Sequence, residues 1–298
     1  MLQLPIERPR ADTTPWALES LPPFPPVAAR LLRLISSETA SFREVSEVIR
    51  TDAAISTEVL RLSNSAMFGM RHEMKSVFDA ATLLGVERLK GLVVTVALRD
   101  FLYSIRHQRA FTRCWRHNLA CALISESLSE ACCIDKGIAY TAGLMHDLGR
   151  LALLAAHPKE YGQLLRSCAN PGAMLELERA TFGLDHAQAG LWLSADWDLP
   201  EELSDVMASH HDAGSRDPSS LANQVALGCR MADSSGFPVC GQPPALDLEW
   251  VAARLPNTAW AKVEQELDTI ASEVALKINL FECDFLNAMP ARGGPRFS

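Results

Sequence analysis

The segment TAGLMHDLGRLAL, residues 141–153, places His146 and Asp147 side by side within an otherwise apolar run. Its leucines recur every three or four residues, and the alanines and methionine around them widen the apolar stripe. This pattern predicts a helix that is buried on all sides. An ionised carboxylate in such a place is costly unless it is paired with a cation or bound to a metal. The pair therefore marks a candidate functional site inside a helical core.

Arg150 is the obvious structural partner for Asp147, because side chains three residues apart share a helix face. A salt bridge between them would explain the buried carboxylate without any ligand. It would leave the adjacent pair His210 and His211 unexplained. Neighbouring helical side chains point about 100° apart, so both imidazoles can reach one site only near a helix end. From these residues alone, a salt bridge and a metal site both stay open.

The rest of the chain has the 3.6-residue spacing of helices, and no alternating run is long enough to predict a strand. We therefore predict an all-α fold, in which an N-terminal bundle of short helices packs on a second helical bundle. The predicted divisions are an extended N-terminal segment, the bundle of short helices, the bundle of longer helices and a flexible tail: residues 1–20, 21–106, 107–286 and 287–298.

Several helix limits follow from capping signals and from the length of the apolar patterns. The spacing of Ser41 and Glu44 is that of a capping box, and Asp52 is predicted to cap the next helix. Gly85 is predicted to separate two helices by taking a left-handed conformation. In the second bundle, continuous helical patterns predict single helices over residues 137–156 and 249–286.

The composition excludes several functional classes. The 298 residues are 48% hydrophobic, which is enough for a sizeable core. A net charge of -8 and a pI near 5.5 argue against direct nucleic-acid binding. No apolar run approaches the length of a membrane span, and the N-terminus lacks the apolar region of a secretory signal. We therefore expect a cytoplasmic protein without a membrane span.

Five of the eight histidines lie inside or at the ends of predicted helices of the second bundle, together with two aspartates in apolar helices. Imidazole and carboxylate groups are ligands for Fe, Mn, Zn or Ni, and helical bundles collect them from several helices. Taken singly, a histidine on an apolar face is more often structural than a ligand. Cys229 lies in the same helical run as one of the aspartates and is interpreted as a small hydrophobic residue. The candidate metal ligands are His117, His146, Asp147, His186, His210, His211 and Asp233.

From about Leu21 to Leu280 the chain resembles HDOD-domain proteins, which are bacterial signalling relatives of the HD and HD-GYP phosphohydrolases. Three ordered segments carry the N-terminal part of the resemblance: LPPFPPVAARLLRLI, IRTDAAISTEVLRLSNSAMFG and AATLLGVERLKGLVV. The second part is carried by CWRHNLACA, GLMHDLGRL, DHAQAGLWLSADWDLP and ASHHD. The order of histidines and aspartates in these segments agrees with the HD-GYP branch.

The resemblance implies one or two divalent transition-metal ions, with Fe or Mn favoured and Zn or Ni as alternatives. It implies that one ion is surrounded by His117, His146, Asp147 and Asp233. It implies that a second ion is bound by His186, His210 and His211, with Asp147 bridging the two ions.

The chain departs from the HD-GYP pattern at three places. Arg113 stands where those enzymes have a glutamate, Arg150 stands where they have a lysine, and HHDAGSRDP replaces the region of the GYP motif. These departures favour a regulatory module that acts by binding a signalling protein or a small phosphate-containing ligand. The alternative is a metal-dependent phosphohydrolase or phosphodiesterase, in which Arg150 stabilises developing negative charge. Its substrate would be a nucleotide or cyclic dinucleotide.

Overall fold

The computed structural model describes residues 14–21, 24, 26–35, 42–65, 73–102, 105, 107–168, 171–211, 217–256 and 258–285. Within these ranges every regular element is helical, which confirms the prediction of an all-α fold. Ser41 of the predicted capping box and the predicted tail at 287–298 lie outside the described residues. None of the described helices combines the length and apolar character needed to cross a membrane.

The helices fall into two groups along the chain. A short 3-10 helix at Trp16–Leu18 comes first, inside the segment that was predicted to be extended. The N-terminal group is α1 (Pro26–Ile35), α2 (Phe42–Arg50), α3 (Ala53–Ser63), α4 (Val77–Leu84) and α5 (Val86–Phe101). The second group is α6 (Arg109–Cys132), α7 (Lys136–Met145), α8 (Leu148–Ala156), α9 (Pro158–Ser167), α10 (Pro171–Phe182), α11 (His186–Asp196), α12 (Glu201–Ser209), α13 (Leu221–Ser234), α14 (Leu248–Ala252) and α15 (Trp260–Phe285).

Local capping explains where several of the N-terminal helices begin and end. The backbone N–H of Ile55 donates to Oδ1 of Asp52 at 3.0 Å, which confirms the predicted cap of α3. The side chain of Ser76 accepts from the backbone N–H of Asp79 at the start of α4. Gly85 has a φ of 83°, so it closes α4 in a conformation that side chains disfavour and lets α5 begin.

The long helix α6 is the central element of the second bundle, where it packs against α7, α13 and α15. In the first bundle α5 packs against α1, α3 and α4, and it also contacts α7. One continuous apolar core therefore runs through both bundles. The N-terminal bundle is packed on the second one as predicted, while the proposed boundary near residue 106 stays a prediction.

Two helices that were predicted to be continuous are interrupted. The helix expected over 137–156 is broken at His146 and Asp147, which form a turn between α7 and α8. After this turn α8 lies against α11 so closely that a Cβ on Gly149 would come within 2.0 Å of the carbonyl oxygen of His186. The helix expected over 249–286 is likewise split into α14 and α15, around Pro256, which cannot continue a helix.

Candidate metal centre

Six of the seven candidate ligands are brought together by helix α6, one turn and two helix ends. His117 lies on α6, His146 and Asp147 form the turn before α8, and His186 is the first residue of α11. His210 and His211 follow the last residue of α12, as the sequence argument about helix ends requires. The imidazoles form a continuous series with ring-centroid distances of 5.3 Å for His117–His146, 4.9 Å for His146–His210, 5.6 Å for His186–His210 and 4.9 Å for His186–His211.

The first group of ligand atoms, which we call the aspartate cluster, consists of Asp147, His186, His210 and His211. One ligand atom from each residue lies within 4.8 Å of the others. Oδ1 of Asp147 is 3.2 Å from Nε2 of His210 and 3.3 Å from Nε2 of His186. The Nε2 atoms of His186 and His211 are 2.8 Å apart. This geometry could hold a metal ion among four donors.

The second group, which we call the cysteine cluster, consists of His117, His146 and Cys229. Sγ of Cys229 is 3.5 Å from Nε2 of His117. Sequence reasoning missed this thiol and named Asp233 instead. Asp233 lies outside both clusters, with Oδ1 3.3 Å from Nδ1 of His117, on the other side of that ring. The spacing could have revealed Cys229, because it precedes Asp233 by four residues and shares its face of α13.

Four of the histidines have Nδ1 held by an oxygen atom. The acceptors are the Phe237 carbonyl for His117 at 2.9 Å, the Gly143 carbonyl for His146 at 2.7 Å, the Glu178 carboxylate for His186 at 2.6 Å and the Met207 carbonyl for His210 at 3.1 Å. Because these oxygens can only accept, Nδ1 carries the proton and the lone pair of each neutral ring is on Nε2. Such an outer contact is the usual way in which proteins orient histidine ligands.

Two imidazoles in this arrangement have a ring nitrogen that no protein group satisfies. Nε2 of His146 is buried, and no described polar atom lies within hydrogen-bonding distance of it. Nε2 of His210 faces Oδ1 of Asp147, and Nδ1 of the same ring faces a backbone carbonyl oxygen. A neutral imidazole carries only one N–H, so its other nitrogen must direct a lone pair at an oxygen acceptor. A cation beside these atoms would satisfy both rings. The donor set therefore fits a divalent metal.

Arg150 occupies a buried position at the edge of the aspartate cluster. Its Nε donates to Oδ2 of Asp147 at 2.5 Å, which confirms the salt bridge considered from the sequence. Its Nη2 lies 3.1 Å from Nε2 of His186, and its Nη1 donates to the hydroxyl of Tyr161 at 3.5 Å. The guanidinium is thus a permanent cation at the site, and it contacts Asp147 and His186, two of the four residues that would bind a metal there.

Glu178 is a buried carboxylate behind the aspartate cluster that sequence reasoning did not name. Its Oε2 accepts from both the backbone N–H and Nδ1 of His186, and its Oε1 accepts from the hydroxyl of Tyr161. These bonds fix the orientation of the His186 ring. The glutamate interrupts the apolar pattern of α10 eight residues before His186, and this could have marked it as a candidate. Only the fold shows that α10 packs beside the start of α11, where the carboxylate contacts His186.

The charge states of four cluster residues suit metal binding, whereas the pKa of His117 in the cysteine cluster is raised. Burial lowers the pKa of His146, His210 and His211 below its ordinary value, and neighbouring imidazoles lower it further. Burial alone would raise the pKa of Asp147, but Arg150 and then His146 hold it well below its usual range. Neutral imidazoles and an ionised carboxylate are the protonation states that ligate metals.

A cavity of about 340 Å³ gives access to the clusters. It is lined by His210 and His211 from one cluster, by Cys229 from the other, and by Asp233. Arg230 and Trp250 form part of its outer wall, with the guanidinium carbon of Arg230 4.2 Å from the ring centroid. The cavity is therefore a route by which an ion or a small ligand reaches the histidines.

Comparisons with known proteins agree with this architecture. A family model described as the HDOD domain matches residues 21–213. An uncharacterized protein of Treponema pallidum (strain Nichols) is 26% identical over 200 residues, which are 65% of this chain and 38% of that protein. The chain thus spans well under half of the length of this relative.

Two solved structures have the same fold. A Marinobacter aquaeolei VT8 protein proposed to act in signal transduction has a TM-score of 0.70 and 20% identity, covering 88% of this chain and 60% of that one. A Shewanella amazonensis SB2B protein proposed to be a phosphohydrolase has a TM-score of 0.62 and 23% identity, and the match covers 88% of this chain and 93% of that one. At such identities the likeness shows the shared fold alone.

Proposed function

This chain belongs to the HDOD family, and on that premise we propose that it is a bacterial regulatory module with a retained HD-type metal site. The module acts by binding a signalling protein or a small phosphate-containing ligand. A shift between the N-terminal bundle and the metal-site bundle would carry the signal, because α5 of the first contacts α7 of the second.

The observation that carries the metal part of this proposal is the common orientation of the histidines. Four Nδ1 atoms are held by oxygen acceptors, so four Nε2 atoms point toward the interior of the two clusters. Three of these Nε2 atoms lie beside other polar groups of the clusters. The buried Nε2 of His146 has no described partner, and that atom supports a site built for an ion.

One or two divalent ions would be held by the residues of the two clusters. The aspartate cluster offers a carboxylate and three imidazoles, and the cysteine cluster offers two imidazoles and a thiol. Asp233 would complete the set from the wall of the cavity. Fe or Mn is favoured by the mixture of nitrogen and oxygen donors, with Zn or Ni as alternatives. When bound, such an ion supplies positive charge that attracts phosphate oxygens and acidifies water.

The position of Arg150 favours the regulatory module over a hydrolase. A group that stabilises a developing anion must offer free N–H donors to the substrate. Arg150 is 3% exposed, and its three nitrogens face Asp147, His186 and Tyr161. It is also absent from the lining of the cavity that leads to the histidines. Its role as an anion stabiliser would require it to leave all three contacts.

The second candidate function is a metal-dependent phosphohydrolase or phosphodiesterase acting on a nucleotide or cyclic dinucleotide. The cavity of about 340 Å³ favours it, because the cavity reaches His210, His211 and Cys229 directly. The guanidinium of Arg230 at its wall could contact a phosphate group. This function would therefore need Arg230, and not Arg150, as its anion-binding residue.

The metal site is tested by elemental analysis of protein purified without a chelator. We expect a transition metal near stoichiometry in the wild type and in His107→Ala, a control in which an exposed histidine is removed. We expect its loss in His146→Ala and in Asp147→Ala. A folded wild-type preparation that holds no metal, even after reloading with Fe²⁺ or Mn²⁺, would contradict the proposal.

The choice between module and hydrolase is tested by incubating the metal-loaded protein with phosphomonoesters, phosphodiesters and cyclic dinucleotides. We expect no turnover above that of Asp147→Ala, together with a stable partner recovered from cells. Turnover that disappears in both Asp147→Ala and Arg230→Gln would decide for the hydrolase.

A further inference from the structure

Three arginines at the N-terminal half of α6 line one cavity of about 440 Å³. Arg109, Arg113 and Arg116 are four and three residues apart, so they share one face of the helix. The opposite wall is the segment 236–243, which follows α13 and contributes Phe237 and Gln242 among others. We call this cavity the arginine pocket.

The arginine pocket holds no carboxylate among its described lining residues, although the whole chain has a net charge of -8. Three other cavities each contain acidic side chains: Asp233 in the one at the metal clusters, Asp198 in the one beside α1, and Glu266 in the one beside α15. The arginine pocket is therefore positively charged, although the protein as a whole is negatively charged.

Three arginines elsewhere in the chain are neutralised by ion pairs. Arg33 pairs with Asp198, Arg88 with Glu126 and Arg179 with Asp185. Within the part of the chain that the structure describes, no such ion pair involves Arg109 or Arg113, and both side chains are exposed. Like charges in one cavity repel each other unless an anion neutralises them. The pocket thus has the electrostatics of an anion-binding site.

The geometry of the pocket indicates more than one anionic group. Seven residues separate the first and last arginine, which corresponds to about 10 Å along the helix axis. The guanidinium of Arg116 is positioned over the Phe237 ring, with its carbon 5.4 Å from the centroid. The planar guanidinium matches phosphate oxygens bidentately. Thr112 and Gln242 add polar groups to the same lining.

We propose that the arginine pocket binds a small compound carrying two or more linked phosphate groups. This site goes beyond the proposed metal site and shares no ligand residue with it. The two are adjacent through Phe237, which lines the pocket while its carbonyl oxygen accepts from Nδ1 of His117 at 2.9 Å. A bound oligophosphate therefore contacts the segment that orients the first histidine of the cysteine cluster.

Calorimetric titration of the chelator-treated protein with tripolyphosphate, pyrophosphate and orthophosphate at matched ionic strength tests the proposal. EDTA in every solution removes metal that the phosphates would otherwise bind. We expect tripolyphosphate to bind at least roughly tenfold more tightly than orthophosphate, because it can form additional charge-assisted hydrogen bonds with the arginines. Because EDTA is present throughout, tripolyphosphate binding is measured without metal, which separates this site from the metal site.

Variants with equal changes of charge locate the ligand. Arg109→Gln and Arg113→Gln should each weaken tripolyphosphate binding by roughly tenfold, and Arg113→Glu, which reverses the charge, should weaken it further. The matched control is Arg88→Gln, which removes an exposed arginine of α5 and should change affinity by less than about twofold. Circular dichroism and thermal unfolding verify that each variant is folded.

Histidine side-chain NMR of the metal-free protein provides a second measurement. Tripolyphosphate should shift the imidazole signals of His117 in the wild type and in Arg88→Gln, and should leave them unchanged in Arg113→Glu. The proposal is overturned if the wild type does not bind tripolyphosphate, if Arg88→Gln weakens binding as much as the pocket variants do, or if binding leaves the His117 signals unmoved.

Discussion

The aspartate cluster and the cysteine cluster are neighbours in the same series of imidazoles, but they differ in charge. The first contains the ionised Asp147, and the guanidinium of Arg150 donates to it at 2.5 Å. The second contains no carboxylate among its three donors, and Nε2 of His146 has no described hydrogen-bond partner, with Oδ2 of Asp147 3.8 Å away. Without a metal, a buried ion pair holds the first cluster together, whereas the three donors of the second are joined by no such pair.

This difference indicates what a metal ion would change at each place. At the aspartate cluster an ion would compete with Arg150 for Asp147 and for Nε2 of His186. At the cysteine cluster it would meet a lone pair that no protein group uses. We therefore expect the metal-free fold to depend strongly on the polar groups of the aspartate cluster and only weakly on those of the cysteine cluster.

The largest expected effect comes from removing the charge of Asp147. In metal-free protein, Asp147→Asn leaves the buried Arg150 without its main counterion, and breaking a buried pair from one side costs about 3–5 kcal/mol. Urea denaturation in EDTA measures the loss. The control is Asp198→Asn, which breaks an exposed contact of 3.8 Å with Arg33 and should cost less than about 1 kcal/mol. Equal losses in the two variants would refute the assigned role of the ion pair.

A smaller effect should distinguish the two clusters directly. In metal-free protein, His186→Leu removes the ring that donates to Glu178 and that accepts from Arg150, so we expect a loss of about 2–3 kcal/mol. His146→Leu replaces a ring whose Nε2 has no described partner, and we expect a loss below about 1 kcal/mol. Both changes use the same pair of residue types at buried positions. Equal free energies of unfolding for the two variants would remove the distinction between the clusters.

The sequence was sufficient for the helical class, the two bundles and the convergence of the histidine-bearing segments. The salt bridge of Asp147 with Arg150 followed from their spacing. The break at His146 was not predictable in the same way, because the apolar pattern continues through it. It depends on the contact between the backbone at Gly149 and α11, and such a contact between segments distant along the chain leaves no local periodicity.

The outer contacts of the site were equally hidden from the sequence. Cys229 looked like a small hydrophobic residue because its helix is apolar, and only the packing of α13 against α6 brings its thiol to His117. Glu178 reaches His186 because α10 and α11 meet at the turn after Phe182. In both cases the residue type was visible, but the partner was determined by tertiary structure.

The pH dependence of stability should reflect the buried imidazoles. Unfolded histidines take up protons as the pH falls through about 6.5, while His146, His210 and His211 have lowered pKa values in the folded protein and stay neutral. The unfolded state therefore binds more protons, and metal-free protein should lose stability between about pH 7.5 and 5.5. Each proton contributes a slope of about 1.4 kcal/mol per pH unit.

His117 acts in the opposite direction within this window. Burial lowers its pKa, but Cys229 and Asp233 raise it by more, so its contribution is present at low pH and is lost as the pH rises. Because three histidines have lowered pKa values and one has a raised pKa, the stability of the metal-free protein should still fall as the pH falls. Urea denaturation at several pH values measures the slope, which should be smaller in His146→Leu. Stability that rises as the pH falls from about 7.5 to about 5.5 would contradict neutral imidazoles at these three positions.

The smallest expected effect concerns the thiol that makes the clusters chemically different. Burial raises the pKa of Cys229 to about 12, so the metal-free residue is a thiol, and a metal must displace its proton to bind sulfur. We expect Cys229→Ser to weaken Zn²⁺ or Co²⁺ binding by roughly tenfold and Mn²⁺ binding by much less, because sulfur favours softer ions. Loss of the thiolate-to-cobalt absorption band in this variant, and its retention in Cys114→Ser, would place Co²⁺ on the cysteine cluster. Wild-type protein that binds Co²⁺ without showing this band would indicate that the ion prefers the aspartate cluster despite Arg150.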